Sequence, residues 1–163
     1  MAEATRRIAV VTGANRGIGL EICRQLASNG VMVVLTARDE KKGLEAFEKL
    51  KKSGYHHVVF HQLDVADPAS ITSLADFITS QFGKLDILVN NAGISGAVFR
   101  DDASAHIKPQ GEHANWNELA SQTSETAEEC LNTNYYGAKR MVEALVALLQ
   151  LSDHQESSMF LLF

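Results

Sequence analysis

Four short runs of consecutive apolar residues limit the fold of this chain more than any other feature of its sequence. The runs are Ile8 to Val11, Val31 to Leu35, Val58 to Phe60 and Ile87 to Val89. Continuous runs rich in β-branched residues are typical of strands that are buried on both faces, as in a parallel sheet. Helical patterns separate the runs, and the first three patterns end at or near the glycines Gly30, Gly54 and Gly83, while Asp39 and Asp67 precede the second and third patterns as predicted N-caps. The order βαβαβαβ predicts a doubly wound α/β fold.

The turn after the first predicted strand has the glycine spacing of a phosphate-binding loop. It reads Thr12-Gly13-Ala14-Asn15-Arg16-Gly17-Ile18-Gly19, directly between a strand and a helix. Gly13 permits a tight turn, Gly17 lets the backbone approach a pyrophosphate, and Gly19 lets the helix pack close to the sheet. Free amides at the helix N-terminus then face the anion. The motif predicts a dinucleotide site, against the alternative that the glycines serve only a strand-to-helix turn.

Two arginines indicate which dinucleotide this site prefers. Arg38 follows the second predicted strand, about where an NAD-type fold carries an acid for the ribose hydroxyls. A guanidinium fork matches a 2'-phosphate, and we expect Arg16 to point toward the same pocket. The sequence therefore favours NADP(H) over NAD(H). The alternative is that Arg38 is solvated and that Asp39 only caps the next helix.

Composition narrows the possible functions of the chain. Its 163 residues are 45% hydrophobic and 21% charged, as in an ordinary single globular domain. The net charge of -5 argues against a general basic surface for nucleic acid or an anionic membrane. The first apolar run is too short for a signal peptide, so a cytoplasmic location is expected. We interpret Cys23 and Cys130 as reduced core residues, and the histidines show no metal-ligand spacing with them, so no metal site is predicted.

Five segments carry a family signature in order along the chain: "VVTGANRGIGLEICRQLASNG", "LTARDE", "FHQLDVADPASITSLADF", "KLDILVNNAG" and "LNTNYYGAKRM". Together they resemble the short-chain dehydrogenase/reductase family, and most closely its plant menthone, neomenthol and salutaridine reductase branch. The resemblance spans roughly residues 7 to 152 and corresponds to about the first half of such a protein. It implies a Rossmann-type, NAD(P)-binding unit at residues 1–152, truncated after the helix that follows the fourth strand, and a divergent tail at residues 153–163.

The resemblance also implies roles for individual residues. Arg38 would grip the 2'-phosphate, and Asp64 and Val65 would receive the adenine. The residues implied to contact the cofactor phosphates are Asn15, Arg16, Gly17, Ile18 and Gly19. Those implied to lie beside the riboses are Asn90, Asn91, Ala92 and Gly93. The segment Asn134 to Gly137 fits the family's N-x-x-G helix motif, which makes Asn134 the implied active-site asparagine, the residue that supports a water in a proton relay.

Tyr135 and Lys139 have the four-residue spacing of a catalytic tyrosine and lysine, and Ser121 lies fourteen residues before Tyr135. The stretch around Ser121 is polar and lacks a strand pattern that would hold a serine rigidly beside a nicotinamide. We therefore interpret the pair as a look-alike and expect Tyr135 to pack into the core and Lys139 to face water. In the family, the catalytic serine, tyrosine and lysine come later in the chain, so this chain is expected to be inactive by itself.

Two hypotheses about function follow. The first is an NADP(H)-dependent oxidoreductase acting on a carbonyl compound or secondary alcohol of the menthone or neomenthol kind, for which this chain supplies the cofactor half. The alternative is a truncated isoform that acts only as a cofactor-binding or interaction module. The implied partners are a nicotinamide dinucleotide and, in a full-length relative, a small carbonyl or alcohol substrate.

Loss of the family's later strands is expected to lower the solubility or stability of this chain. The strand at Ile87 to Val89 becomes a sheet edge, and an apolar edge with unpaired backbone groups favours poor solubility or marginal stability. The tail "SSMFLLF" has three open conformations, namely an imitation fifth strand, an extension of the helix, or disorder. Residues 94–123 form a long polar loop that in the family walls the substrate site, although a disordered surface insertion is also compatible with the sequence.

Overall fold

The computed structural model describes residues 6–99, 120–152 and 158–161. Its strands are β1 (Ile8–Val11), β2 (Met32–Ala37), β3 (Val58–Gln62), β4 (Ile87–Asn90), β5 (Val98–Phe99), β6 (Ala120–Ser121) and β7 (Ser158–Leu161). Five of them form a parallel sheet in the order β3-β2-β1-β4-β7, and β5 pairs with β6 in a separate antiparallel ribbon. The order β3-β2-β1-β4 confirms the doubly wound, Rossmann-type fold.

Helices connect the strands where the sequence predicts them. They are α1 (Gly17–Ser28), α2 (Glu40–Lys52), α3 (Pro68–Gln81), α4 (Ser124–Cys130) and α5 (Ala138–Leu149), with a π-helical segment at Leu131–Gly137 between the last two. The predicted glycine stops are confirmed, because Gly30, Gly54 and Gly83 have φ of +77°, +89° and +73°. The predicted caps are confirmed as well, since the Asp39 carboxylate accepts from Lys42 N and the Asp67 carboxylate accepts from Ala69 N, both at 3.0 Å.

The sheet separates two apolar cores, as expected for strands that are buried on both faces. Successive residues of β1 alternate between them, so that Val10 faces one core and Val11 the other. The first core contains Leu74 of α3 and Met141 and Leu145 of α5, all 0% exposed. The second is formed with side chains of α1 and α2. Burial of helices against both faces fixes the sheet, and the carboxyl ends of its strands consequently lie along one edge.

The expectation that β4 forms a sheet edge is wrong. Strand β7 pairs with it in parallel, with Ile87 opposite Ser158 and Asn90 opposite Leu161. Of the three conformations left open for the tail, residues 158–161 adopt the fifth strand. The pairing follows from the geometry of β4, because its backbone groups on the side away from β1 otherwise have no partner within the described chain.

A buried carboxylate holds the amino ends of the two central strands together. Asp86 is 0% exposed and accepts from the backbone N–H of Ile8 at 2.7 Å. It also accepts from the Ser152 hydroxyl, just past the end of α5, and lies 3.8 Å from Lys84 Nζ. Because a buried carboxylate needs such partners, these contacts hold β1, β4 and the end of α5 together.

Candidate functional site

A cleft of about 900 Å³ runs along the carboxyl ends of β1 to β4. Residues from every predicted strand end line it, as the topology of a doubly wound sheet requires. The predicted residues in its lining are Gly13, Asn15, Arg16, Gly17, Ile18, Gly19, Arg38, Asp64, Val65, Asn91, Ala92 and Gly93. Lys42 and Thr133 also line it, and the sequence pattern did not single them out. The loop motifs therefore converge on one concave surface.

The glycine-rich turn adopts backbone conformations that other residues rarely take. Gly13 has φ +62° and Gly17 has φ +57°. A Cβ atom on Gly13 would lie 2.9 Å from the Cα atom of Ala92, whereas a Cβ atom on Gly17 would meet nothing within 4 Å. Gly13 therefore allows close approach of the turn to the β4 end, and Gly17 leaves open space in front of the backbone, where a phosphate group fits.

Thr12 joins the turn after β1 to the turn after β4. Its buried hydroxyl accepts from the backbone N–H groups of Asn91 at 3.0 Å and Ala92 at 2.9 Å. In return, the Asn91 side-chain amide donates to the carbonyls of Thr12 at 2.8 Å and Gly13 at 3.1 Å. These four hydrogen bonds fix the two loops relative to each other. Sequence reasoning missed Thr12, because its role depends on a partner 79 positions away.

The end of β2 brings positive charge to one end of the cleft. Arg38 and Lys42 are exposed and line it, and Arg16 lines it from the glycine-rich turn. Lys42 Nζ lies 3.6 Å from Asp39 Oδ2. The hydrogen bond from Lys42 N lowers the pKa of Asp39, so this carboxylate stays charged as the α2 cap. Asp39 therefore caps α2, and Arg38 is exposed and lines the cleft.

The turn after β3, the strand next to β2, also lines the cleft. Val65 is buried and Asp64 is half-buried, and one carboxylate oxygen of Asp64 accepts from Ala66 N at 2.9 Å. The backbone N–H of Asp64 donates to the Ser70 hydroxyl at 2.9 Å. The turn is thus rigid, with an apolar side chain and a carboxylate presented to the cleft.

Asn134 lies in the π-helical segment and holds the loop after β4. Its side-chain oxygen accepts from Ile94 N at 2.9 Å, and its amide nitrogen donates to the Ile94 carbonyl at 3.0 Å. Three residues later, a Cβ atom on Gly137 would lie 2.8 Å from Cγ2 of Val65, so this glycine lets the helix approach the turn after β3. The π-helical segment therefore bridges two of the strand ends. Asn134 itself is absent from the described cleft lining.

Asn90 differs in placement from its neighbours in the "NNAG" motif. It is 5% exposed and is absent from the described lining of the cleft. Both of its side-chain amide atoms are buried without a hydrogen-bond partner among the described residues. The three residues that follow it reach the cleft, whereas Asn90 ends the strand within the sheet.

Tyr135 and Lys139 are both absent from the described lining of the cleft. Lys139 is exposed, as expected, and its Nζ atom lies 3.7 Å from Oε1 of Glu143. The expectation that Tyr135 packs into the core is wrong, since it is 57% exposed and stacks edge-on against Tyr136. The π-helical segment accounts for the difference, because its i→i+5 hydrogen bonds shift the face on which each side chain lies. Ser121 lies in the short ribbon, where Val98 is its partner.

The two cysteines have different surroundings. Cys23 is 0% exposed in a core, and burial raises the pKa of its thiol to about 12. Cys130 is only half-buried and its Sγ lies 3.6 Å from the Ile94 carbonyl, so the interpretation of Cys130 as a core residue is wrong.

In the part of the chain that the structure describes, no three His, Cys, Asp or Glu side chains gather at a point that could hold a metal ion. The helices among those residues are all too short or too polar to cross a membrane.

Comparison with known proteins gives a consistent family assignment. The family model described as short chain dehydrogenase matches residues 7–158. (+)-Neomenthol dehydrogenase of Arabidopsis thaliana is 62% identical in an alignment 157 residues long, and the match covers 94% of this chain and 52% of that protein. The solved structure of salutaridine reductase from Papaver somniferum matches this chain with a TM-score of 0.83 and 57% sequence identity. The match covers 91% of this chain and 54% of the reductase chain.

A more distant relative carries the cofactor in its name. Carbonyl reductase [NADPH] 1 of Mus musculus is 38% identical in an alignment 151 residues long, and the match covers 90% of this chain and 46% of that protein. This chain spans about half the length of the curated relatives it matches. The fold, the motifs and these matches agree: the chain belongs to the short-chain dehydrogenase family, in the plant branch of neomenthol dehydrogenase and salutaridine reductase.

Proposed function

We propose that this chain is the cofactor-binding half, residues 1–152 with a divergent tail at 153–163, of an NADP(H)-dependent oxidoreductase that acts on carbonyl compounds or secondary alcohols. The observation that carries the proposal is the convergence of the glycine-rich turn and Arg38 on one cleft. The names of the relatives supply the substrate class, namely neomenthol, salutaridine and carbonyl compounds. When bound, the dinucleotide supplies hydride exchange at its nicotinamide.

The residues of the cleft fit such a dinucleotide. The backbone at Gly17 and the N-terminus of α1 would hold the pyrophosphate, since the space in front of Gly17 is open. Arg38, with Arg16 and Lys42, would hold the 2'-phosphate, because a guanidinium donates two parallel hydrogen bonds to phosphate oxygens. Val65 and Asp64 would face the adenine, and Asn91 to Gly93 the riboses.

Calorimetric titration of the chain with NADP+ and NAD+ tests the cofactor assignment. We expect tighter binding of NADP+, and we expect Arg38→Gln to weaken NADP+ about ten- to hundredfold, the value of a charge-assisted hydrogen bond, with little effect on NAD+. Lys41→Gln is the matched control, because Lys41 carries the same charge three residues further on, in the first turn of α2, and is absent from the described cleft lining. Equal affinity for both dinucleotides would remove the role proposed for Arg38.

A second candidate function is cofactor binding without turnover by residues 1–163 alone. All three tyrosines of the chain lie in the described residues, and none of them lines the cleft. A tyrosine that acts as a general acid must reach the substrate oxygen, with a cation nearby to lower its pKa. Lys139 instead lies beside Glu143.

Turnover of NADPH with menthone and a panel of cyclic ketones separates the two candidates. We expect saturable cofactor binding and no turnover by residues 1–163. Turnover that Tyr135→Phe abolishes would show that Tyr135 is catalytic after all and would contradict the look-alike interpretation. Turnover that survives Tyr135→Phe would point to a different proton donor in this chain.

A further inference from the structure

Thr133 differs from the other helical threonines of the described chain. The hydroxyls of Thr72 and Thr79 donate to the carbonyl four residues earlier, at 3.0 and 2.8 Å, and that of Thr126 donates to the Thr123 carbonyl at 3.0 Å. This local bond is the usual way in which a helix satisfies a threonine. The Thr133 hydroxyl has no such bond and no other hydrogen-bond partner within the described residues. A polar group without a protein partner at the wall of a cleft is available to a ligand.

The π-helical segment determines where this hydroxyl lies. Cys130 and Asn134, four residues apart, both contact Ile94 in the loop after β4. Thr133 and Gly137 are also four residues apart, and Gly137 packs against Val65 in the turn after β3. Thr133 therefore lies four residues before the Val65 contact, and it lines the cleft itself.

From this geometry we propose that Thr133 Oγ1 forms a hydrogen bond with the adenosine half of the bound dinucleotide. The inference rests on the proposed function, which seats the adenine against Val65 and Asp64. A hydroxyl both donates and accepts, so it can pair with an edge nitrogen of adenine or with a ribose oxygen. Thr133 thus supplies the third wall of the adenosine site, in addition to the turns after β2 and β3.

Calorimetric titration of the chain with NADP+ and with adenosine 2',5'-bisphosphate, which is the adenosine half alone, tests the proposal. Thr133→Val keeps the shape of the side chain and removes the hydroxyl, and Thr133→Ala removes it with less bulk. We expect both variants to bind both ligands about two- to tenfold more weakly, as for the loss of one neutral hydrogen bond, and by the same factor for each ligand. Thr133→Ser should retain the wild-type affinities. Thr79→Val is the matched control, since it removes a helical threonine hydroxyl that bonds only to its own helix.

The outcomes separate this inference from the function on which it rests. Unchanged affinities of Thr133→Val and Thr133→Ala, both folded by circular dichroism, would overturn the inference alone. A loss confined to NADP+ would also overturn it, because the contact would then lie on the nicotinamide half. If the wild-type chain binds neither ligand, the proposed function is overturned, and the inference with it.

Discussion

Alanine substitutions of two glycines in the same loop, Gly13 and Gly17, should affect different properties: one mainly the stability of the fold, and the other mainly ligand binding at the cleft. Gly13 and Gly17 both have positive φ, of +62° and +57°, so alanine at either position requires a left-handed backbone at a cost of about 1 to 2 kcal/mol. The positions differ in what a Cβ atom meets. At Gly13 it would lie 2.9 Å from the Cα atom and 3.1 Å from the Cβ atom of Ala92, whereas at Gly17 it would meet nothing within 4 Å.

Gly13→Ala therefore has a second penalty that Gly17→Ala lacks. The contact with Ala92 involves backbone, which cannot rotate away, and overpacking of this kind costs about 1 to 3 kcal/mol. We expect Gly13→Ala to lower the free energy of unfolding by about 3 kcal/mol, which corresponds to about 6 to 12 °C in melting temperature for a chain of this size. Gly17→Ala should lower it by no more than about 1 to 2 kcal/mol, because the unfolded state also loses entropy.

The effects on NADP+ binding should have the opposite order, with Gly17→Ala the more strongly weakened variant. The Cβ atom of Gly17→Ala would project into the space where the cofactor pyrophosphate is proposed to lie, so the folded variant should bind NADP+ at least tenfold more weakly. Urea unfolding followed by circular dichroism gives the free energies, and calorimetry at a temperature where both variants are folded gives the affinities. Equal destabilisation by the two substitutions, or wild-type affinity in Gly17→Ala, would contradict the reasoning.

Three further predictions concern single side chains. Thr12→Val should lower the free energy of unfolding by about 1 to 3 kcal/mol in urea unfolding, because two half-buried backbone N–H groups lose their acceptor, whereas Thr12→Ser should retain wild-type stability. Asp39→Ala should lower the melting temperature at pH 7. Since the folded-state pKa of Asp39 is lowered, that stabilisation is present above the ordinary value of 3.8 and the difference from wild type should shrink as the pH falls below it; a constant difference would contradict the cap assignment. Burial raises the pKa of Cys23 from 9.0 to about 12, so the stability gained by keeping the thiol neutral is complete below pH 9 and is lost as the pH rises to 12. Cys23→Ala should show a smaller fall over that range, and iodoacetamide at pH 8 should modify Cys130 in the native chain and Cys23 only after unfolding.

The features that sequence predicted are those with a local cause. Asp39 and Asp67 cap helices through amides two or three residues away, and Gly30 ends a helix through its own φ. The apolar runs predicted the strands because burial on both faces leaves no other pattern. The cleft followed from topology, since parallel strands in the observed order place their carboxyl ends together. The loop motifs therefore predicted most of the residues that line the cleft.

The features that sequence did not predict depend on distant partners or on an irregular helix. Tyr135 was assigned to the core from a regular helical period, and the π-helical segment breaks that period. The pairing of Ser158–Leu161 with β4 joins segments about 70 residues apart, and the apolar composition of the tail left this strand as only one of three open conformations. The role of Thr12 depends on a hydrogen bond to Asn91 across the sheet. The part of the predicted polar loop at residues 100–119 lies outside the described residues.

Hydrogen bonds between the strand ends couple the cleft to the sheet itself. Ala14 N donates to the Thr36 carbonyl at 2.7 Å, the Thr36 hydroxyl donates to the Val11 carbonyl at 3.0 Å, and Thr12 accepts from the turn after β4. Through these bonds, the loops after β1, β2 and β4 keep their places only while their strands stay paired. A dinucleotide that contacts all three loops must then stabilise the sheet by mass action, by about 2.7 kcal/mol at a concentration one hundred times its dissociation constant. Because nothing lies within 4 Å of a Cβ position at Gly17, whereas Gly13 is packed against Ala92, a ligand can approach Gly17 without displacing the contact at Gly13.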